Sequence, residues 1–166
     1  MKIAIISDIH DRDENVKKVI EKIKELKITE VIALGDYCYP GIPRYFAKTG
    51  LKFRCIFGNN DGDRAGMMED TMDSNGLVTF SRGEFDEYEI DGKKVFVTHY
   101  PQIAEAVVLS GKYNAVFYGH DHVSKVEKLK NNCLLLNPGE IAGTKTGKIT
   151  FGIWDTSTND GKVLNP

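Results

Sequence analysis

An α/β fold with helices outside the sheet is what this sequence predicts, and three observations predict it. The first third alternates short apolar runs with helically spaced ones in the order β-α-β-α-β, which implies parallel pairing with helices on the faces. The second half turns to hairpins, of which the pair around Asp91-Gly92 is the plainest. The length of 166 residues suggests one domain, residues 1–166, large enough to bury a continuous core. Early parallel units followed by late hairpins leave two arrangements open: one mixed sheet, or two sheets face to face with helices outside.

The elements follow in order. Residues 2–7 read as a buried strand, short and rich in Ile between polar residues. Val16, Val19, Ile20, Ile23 and Leu26 then recur at helical spacing, and Asp11 or Asp13 is expected to cap that helix. Residues 30–34 form the next strand, 43–48 a short helix closed by Gly50, and 51–57 a third strand. Residues 62–75, with Met67, Met68 and Met72 among acids, read as a loop leading into a helix. Residues 85–90 and 94–98 make the hairpin, 103–109 a helix after Pro101, and 115–118 a strand. Residues 123–129 and 133–136 flank Asn131-Asn132, and a strand at 148–154 precedes a turn at Asn159-Asp160-Gly161. No repeat or low-complexity segment divides the chain.

Composition excludes several classes. Hydrophobic residues make up 41% and charged residues 28%, an ordinary globular balance. A net charge of −2 argues against a strongly basic nucleic-acid binder. A nuclease stays open, because bound cations supply positive charge that composition does not count. Lys125, Lys128 and Lys130 read as a solvated face. Cys38, Cys55 and Cys133 form no Cys-x-x-Cys pair, which suits buried thiols in a reducing compartment. The apolar run at residues 3–6 is too short for a signal peptide, and no run approaches a membrane span. A cytoplasmic enzyme is the expectation.

All four histidines sit in short clusters with carboxylates, Gly or Asn. These clusters, with Gly35-Asp36 and Gly58-Asn59-Asn60-Asp61, close predicted strands: Asp8-Ile9-His10, Thr98-His99 and Gly119-His120-Asp121-His122 complete the set. Each has a bland reading alone: a polar loop for Asp8-x-His10, a common turn pair for Gly35-Asp36, a tight turn for residues 58–61, a core histidine for His99. The two histidines after Gly119 are the hardest to explain by packing. Together the clusters place candidate ligands at the ends of five strands, where open α/β sheets bind ligands on rigid supports. Asp8, His10, Asp36, Asn59, His99, His120 and His122 are too many for one tetrahedral ion and about right for two sharing a bridge. With nitrogen and oxygen donors and no thiolate, the set favours Mn, Fe, Zn, Co or Ni over a structural cysteine-zinc site. In extended chain, residues i and i+2 point the same way, so Asp8 and His10 are expected to face one ion, and His120 and His122 likewise.

The ordered series Asp8-x-His10, Gly35-Asp36, Gly58-Asn59-x-Asp61, Thr98-His99 and Gly119-His120-x-His122 resembles the calcineurin-like metallophosphoesterases. With Asn137-Pro138-Gly139 near the end, it looks like their small bacterial and archaeal phosphodiesterase branch. The resemblance implies a four-layer α-β-β-α sandwich with two mixed sheets. It implies that Asp8, His10, Asp36 and His122 hold a first ion, that Asp36 bridges, and that Asn59, His99 and His120 hold a second, with Asp61 buttressing the Asn59 loop. Two divalent ions per chain are expected, Mn2+ foremost, with Ni2+, Co2+, Fe2+ and Zn2+ as alternatives. A hydroxide generated between them would attack a small-molecule or nucleotide phosphodiester. Many family members carry His where this chain has Asn60. An amide can contact a phosphate oxygen but cannot supply a proton near neutral pH. A phosphomonoesterase, a nuclease and a non-catalytic partner-binding scaffold are the rival readings, and a homo-oligomer stays open. The full ligand set weighs against the scaffold.

Overall fold

The protein is described by a computed structural model covering residues 1–166. In chain order the elements are β1 (Lys2–Ile6), α1 (Asp13–Glu25), β2 (Glu30–Ala33), α2 (Gly41–Ala47), β3 (Lys52–Cys55), α3 (Arg64–Glu69), a 3-10 turn (Met72–Ser74) and β4 (Val78–Phe80). There follow β5 (Phe85–Ile90), β6 (Lys93–Thr98), α4 (Pro101–Val108), β7 (Ala115–Phe117), β8 (Lys125–Lys128), β9 (Leu134–Asn137), β10 (Phe151–Asp155) and β11 (Asp160–Leu164).

Two sheets form, ordered β11-β10-β1-β2-β3-β4 and β5-β6-β7-β9-β8. In the first, β1 to β4 run parallel while β10 and β11 join antiparallel. In the second, β6, β7 and β9 are parallel and the edge strands β5 and β8 antiparallel. Both sheets are mixed, and the choice between one sheet and two falls to two.

Side-chain alternation explains the layering, because successive residues of a strand face opposite sides. Ala4 and Ile6 of β1, with Val31 and Ala33 of β2, pack on Val16, Val19, Ile20 and Ile23 of α1 and on Ile42 and Phe46 of α2. The alternate residues Ile3, Ile5 and Ile32 pack the other way, against Val95, Val97, Ala115, Phe117 and Leu136 of the second sheet. Phe96, Val116 and Leu135 point outward once more and meet Ala104 of α4. Three apolar clusters thus separate four layers, helix, sheet, sheet and helix. Strands buried on both faces read as continuous apolar runs, which is why β1, β2 and β7 stand out in the sequence.

Some local expectations differ. The residue preceding α1 is Arg12, with no side-chain cap; Asp13 and Glu14 instead occupy the first turn, where carboxylates suit the positive helix end. Residues 62–75 contain α3, capped by Asp63 through Gly66 N, and the 3-10 turn. β4 and β11 had no sequence signal. β4 is three residues long, too short to show alternation, and β11 opens with Asp160-Gly161, which reads as turn. No helix is long and apolar enough to cross a membrane.

Candidate metal centre

The chain leaves β1, β2 and β7 through left-handed backbone. Asp8 has φ 54°, His10 45°, Asp36 58°, His120 75° and His122 67°. Non-glycine residues adopt this region seldom, and such strain concentrates at functional sites. Inter-loop hydrogen bonds hold it: Ile9 N and His10 N both donate to Asp36 O at 3.0 Å, and His120 N donates to the Asp8 carboxylate at 3.0 Å. Glycine is required where loops touch. A Cβ on Gly35, at φ +98°, would lie 2.4 Å from Gly58 N, and one on Gly58 would lie 2.2 Å from Asp36 Oδ1.

All seven predicted ligands converge. His10 Nε2 lies 3.9 Å from Asp8 Oδ1 and 3.5 Å from Asp36 Oδ2. His122 Nε2 lies 3.5 Å from Asp8 Oδ1. On the other side of Asp36, His99 Nε2 is 3.5 Å from Oδ1. Asn59 Oδ1 sits 3.1 Å from His99 Nε2 and 2.8 Å from His120 Nδ1. Two groups of donor atoms, Asp8-His10-His122 and Asp8-Asp36-His99, each lie within 4.8 Å of one another. Asp8 and His10 meet as expected, but through left-handed turns and not an extended strand. His120 and His122 do not share a focus. His120 turns to Asn59 and His122 to Asp8, because both have positive φ and strand alternation no longer applies.

The donor set fits cations. His99 Nδ1 lies 2.7 Å from Leu34 O, and a carbonyl only accepts, so Nδ1 carries the hydrogen. His99 Nε2 then presents a lone pair to Asp36 Oδ1 at 3.5 Å, an acceptor facing an acceptor, which a proton or a metal ion between them resolves. His122 repeats the arrangement toward Asp8. Asp8 Oδ1 and His10 Nε2 are buried with no hydrogen-bond partner, a costly state for polar atoms. Burial pushes the Asp8 carboxyl above its ordinary value, so its ionised form calls for cations beyond the histidines around it. Burial acts on Asp36 in the same sense, but the His99 contact and the two Asn60 donors together hold its carboxyl well below the usual range. His120 is pushed down, by burial first and then by the charge of His99, which favours the neutral, metal-binding imidazole.

Asp61 is 4% exposed and accepts from Gly58 N, Asp36 N, Tyr37 N and Cys38 N at 2.7–3.0 Å. It locks the Asp36 loop to the Asn59 loop. Asn60 is exposed and lies over Asp36, with Nδ2 donating to Oδ2 at 2.7 Å and N to Oδ1 at 2.9 Å. Its amide is thus already engaged by a site carboxylate.

One participant was not found by sequence reasoning. Glu140, fully buried, accepts from His122 Nδ1 at 2.8 Å. Burial is the largest influence on its carboxyl and raises it, yet His122 and the donors of Thr144 and Thr146 bring it down to about 2. Its only signal was adjacency to Asn137-Pro138-Gly139.

A family model, the calcineurin-like phosphoesterase superfamily domain, matches residues 1–159. The chain belongs to this superfamily. A relative from Methanocaldococcus jannaschii, phosphodiesterase MJ0936, is 35% identical over 99% of this chain and 98% of its own. The solved structure of an archaeal phosphodiesterase superposes with TM-score 0.91 at 34% identity, covering 100% of both chains. The calcineurin-like fold is shared more widely. The phosphoesterase Yfce from E. coli matches at TM-score 0.68 and 18% identity over 94% of this chain and 89% of that one. Vps29 from Chaetomium thermophilum matches at 0.70 and 13% over 94% and 81%. For a calcineurin-like phosphoesterase a divalent-metal centre is expected, and the clustered Asp and His side chains are of the kind that hold one.

Proposed function

We propose that this calcineurin-like phosphoesterase is a metal-dependent phosphodiesterase that binds two divalent ions, Mn2+ foremost, between its two sheets' loops. The observation that carries the reading is the set of opposed acceptors around Asp36, with the unpartnered Asp8 Oδ1 and His10 Nε2 beside it. The near full-length relative named as a phosphodiesterase supports the reaction class. Asp8, His10, Asp36 and His122 would hold one ion, and Asn59, His99 and His120 the other, with Asp36 shared. When bound, the ions would supply positive charge to the phosphoryl oxygens and acidify the attacking water.

The chain's own residues do the rest. Asp61 keeps the Asp36 and Asn59 loops in register through its four backbone donors. Asn60 is positioned beside Asp36 to donate to a non-bridging phosphate oxygen. As an amide it holds no proton for the departing oxygen, so substrates with good leaving groups, such as aryl or activated diesters, fit the site best. A phosphodiester carries a single negative charge, which neutral donors and cations suffice to meet. A small-molecule or nucleotide diester accords with the net charge of −2 better than a long nucleic acid does. Three free cysteines accord with a reducing, cytoplasmic setting.

The test is turnover of bis(p-nitrophenyl) phosphate by purified protein with added Mn2+, Ni2+, Co2+, Fe2+ or Zn2+. Hydrolysis that needs the metal and stops with excess chelator supports the reading; hydrolysis undiminished in chelator refutes it.

A further inference from the structure

Glu140 and the segment that follows it belong to no predicted ligand set, yet they converge on one ligand. Glu140 is fully buried. Its Oε2 accepts from His122 Nδ1 at 2.8 Å and from Thr144 N at 3.1 Å. Its Oε1 accepts from Lys145 N at 3.0 Å, Thr146 N at 2.6 Å and Thr146 Oγ1 at 2.8 Å. The neighbouring backbone is tied to the site, since Ile141 N donates to Ser7 O at 3.1 Å and Ala142 N to Asp8 O at 2.9 Å. The carboxylate therefore has a fixed place and one side chain to act upon.

A carboxylate accepts and does not donate, so His122 Nδ1 carries the hydrogen, and in the neutral imidazole that a metal ion takes Nε2 carries the lone pair. That lone pair faces Asp8 Oδ1. A carboxylate behind a metal-bound imidazole fixes its tautomer and makes it a stronger donor. The other three imidazoles lack such a partner: His10 Nδ1 faces the Cys38 thiol at 3.6 Å, His99 Nδ1 meets the neutral carbonyl of Leu34, and His120 turns its Nδ1 inward to the Asn59 amide oxygen.

We infer that Glu140 is a positioning residue that makes the two ion positions unequal, the Asp8-His10-His122 position binding tightly and the Asn59-His99-His120 position exchanging. This rests on the two-metal reading above. The chemistry is that of a divalent cation held by a carboxylate-backed histidine, with the Thr144–Thr146 donors as the strap that keeps the carboxylate in place.

The experiment is calorimetric titration of metal-stripped protein with Mn2+, in wild type, Glu140→Gln and Thr146→Val, with His122→Ala marking the class that belongs to the first position. Glu140→Gln is expected to weaken that class by about 10- to 100-fold and leave the other within about twofold, and Thr146→Val to weaken the same class less. Because Glu140→Gln sets an amide NH2 group against backbone N–H donors and can unfold the loop, Thr146→Val decides alone if circular dichroism shows the first variant unfolded. Independently, ¹⁵N chemical shifts of His122 in Zn2+-loaded wild type should report the Nδ1–H tautomer. Equal weakening of both classes, no change in either class for a folded variant, or an Nε2–H tautomer overturns the inference. A wild type that binds no divalent ion overturns the metal reading itself, and this inference with it, whereas two ions bound with no effect of the variants defeats this inference alone.

Discussion

Asp36 stands between two histidines from different sheets, and its two oxygens face opposite ways. Oδ2 looks to His10 and Oδ1 to His99, so its removal should release both ions at once. Asp36→Ala is expected to bind no more than trace Mn2+ by elemental analysis and to lose roughly 10²-fold or more in turnover, the scale seen when an electrostatic stabiliser is removed. Two tightly bound ions in that variant would disprove the bridge. Asn60 poses the complementary question. Asn60→His is expected to speed hydrolysis of alkyl diesters, with poor leaving groups, by up to about 10²-fold, the lower range for a positioned general acid. It should change aryl diester turnover little. Equal rates on alkyl esters would mean the side chain is not beside the departing oxygen. The histidines and Asp36 were legible because few explanations other than metal gather His, Asp and Asn at strand ends. Glu140 was not, because a lone Glu has no spacing signature and its partner His122 lies 18 positions away.

The strands carry these residues, but the turns aim them. Gly58 has no room for a methyl group, since its Cβ would lie 2.2 Å from Asp36 Oδ1. Gly58→Ala should therefore cost about 1–3 kcal/mol of stability, as overpacking does, and also weaken Mn2+ binding by displacing Asp36. Denaturant unfolding and metal titration measure the two effects. A variant that keeps full stability and affinity would show the loops to be looser than described. Helices and buried strands were readable from apolar spacing, and the clusters were rightly placed at strand ends. The aim of the clusters was not readable from spacing, although the family resemblance did send His120 and His122 to different ions. Strand alternation implied one focus for His120 and His122, whereas the left-handed turns at both residues send them to separate ones. β4 and β11 escaped notice because pairing with β3 and β10, and not local preference, makes them strands.

Across the molecule, the site is only as rigid as the contact between sheets. The first sheet supplies Asp8, His10, Asp36 and Asn59, and the second supplies His99, His120 and His122, so each proposed ion position would draw on both. Leu136 lies fully buried between them with Phe117 and Trp154. Leu136→Ala is expected to destabilise the fold by about 2–5 kcal/mol, read from urea unfolding of the metal-free protein. Metal should in turn stabilise the pair of sheets, by about 2.7 kcal/mol at a hundredfold excess over Kd. The unbroken apolar run of Ile3, Ala4, Ile5 and Ile6 announced a buried strand. It did not announce a second sheet, because a helix layer would bury either face equally well. The most direct test of the metal centre is a Mn2+ anomalous difference map from soaked crystals. Two peaks should flank the Asp36 carboxylate, one beside His10 and His122 and one beside His99 and His120. No peak at Asp36, or a single peak touching only one of those histidine pairs, would contradict the two-ion site.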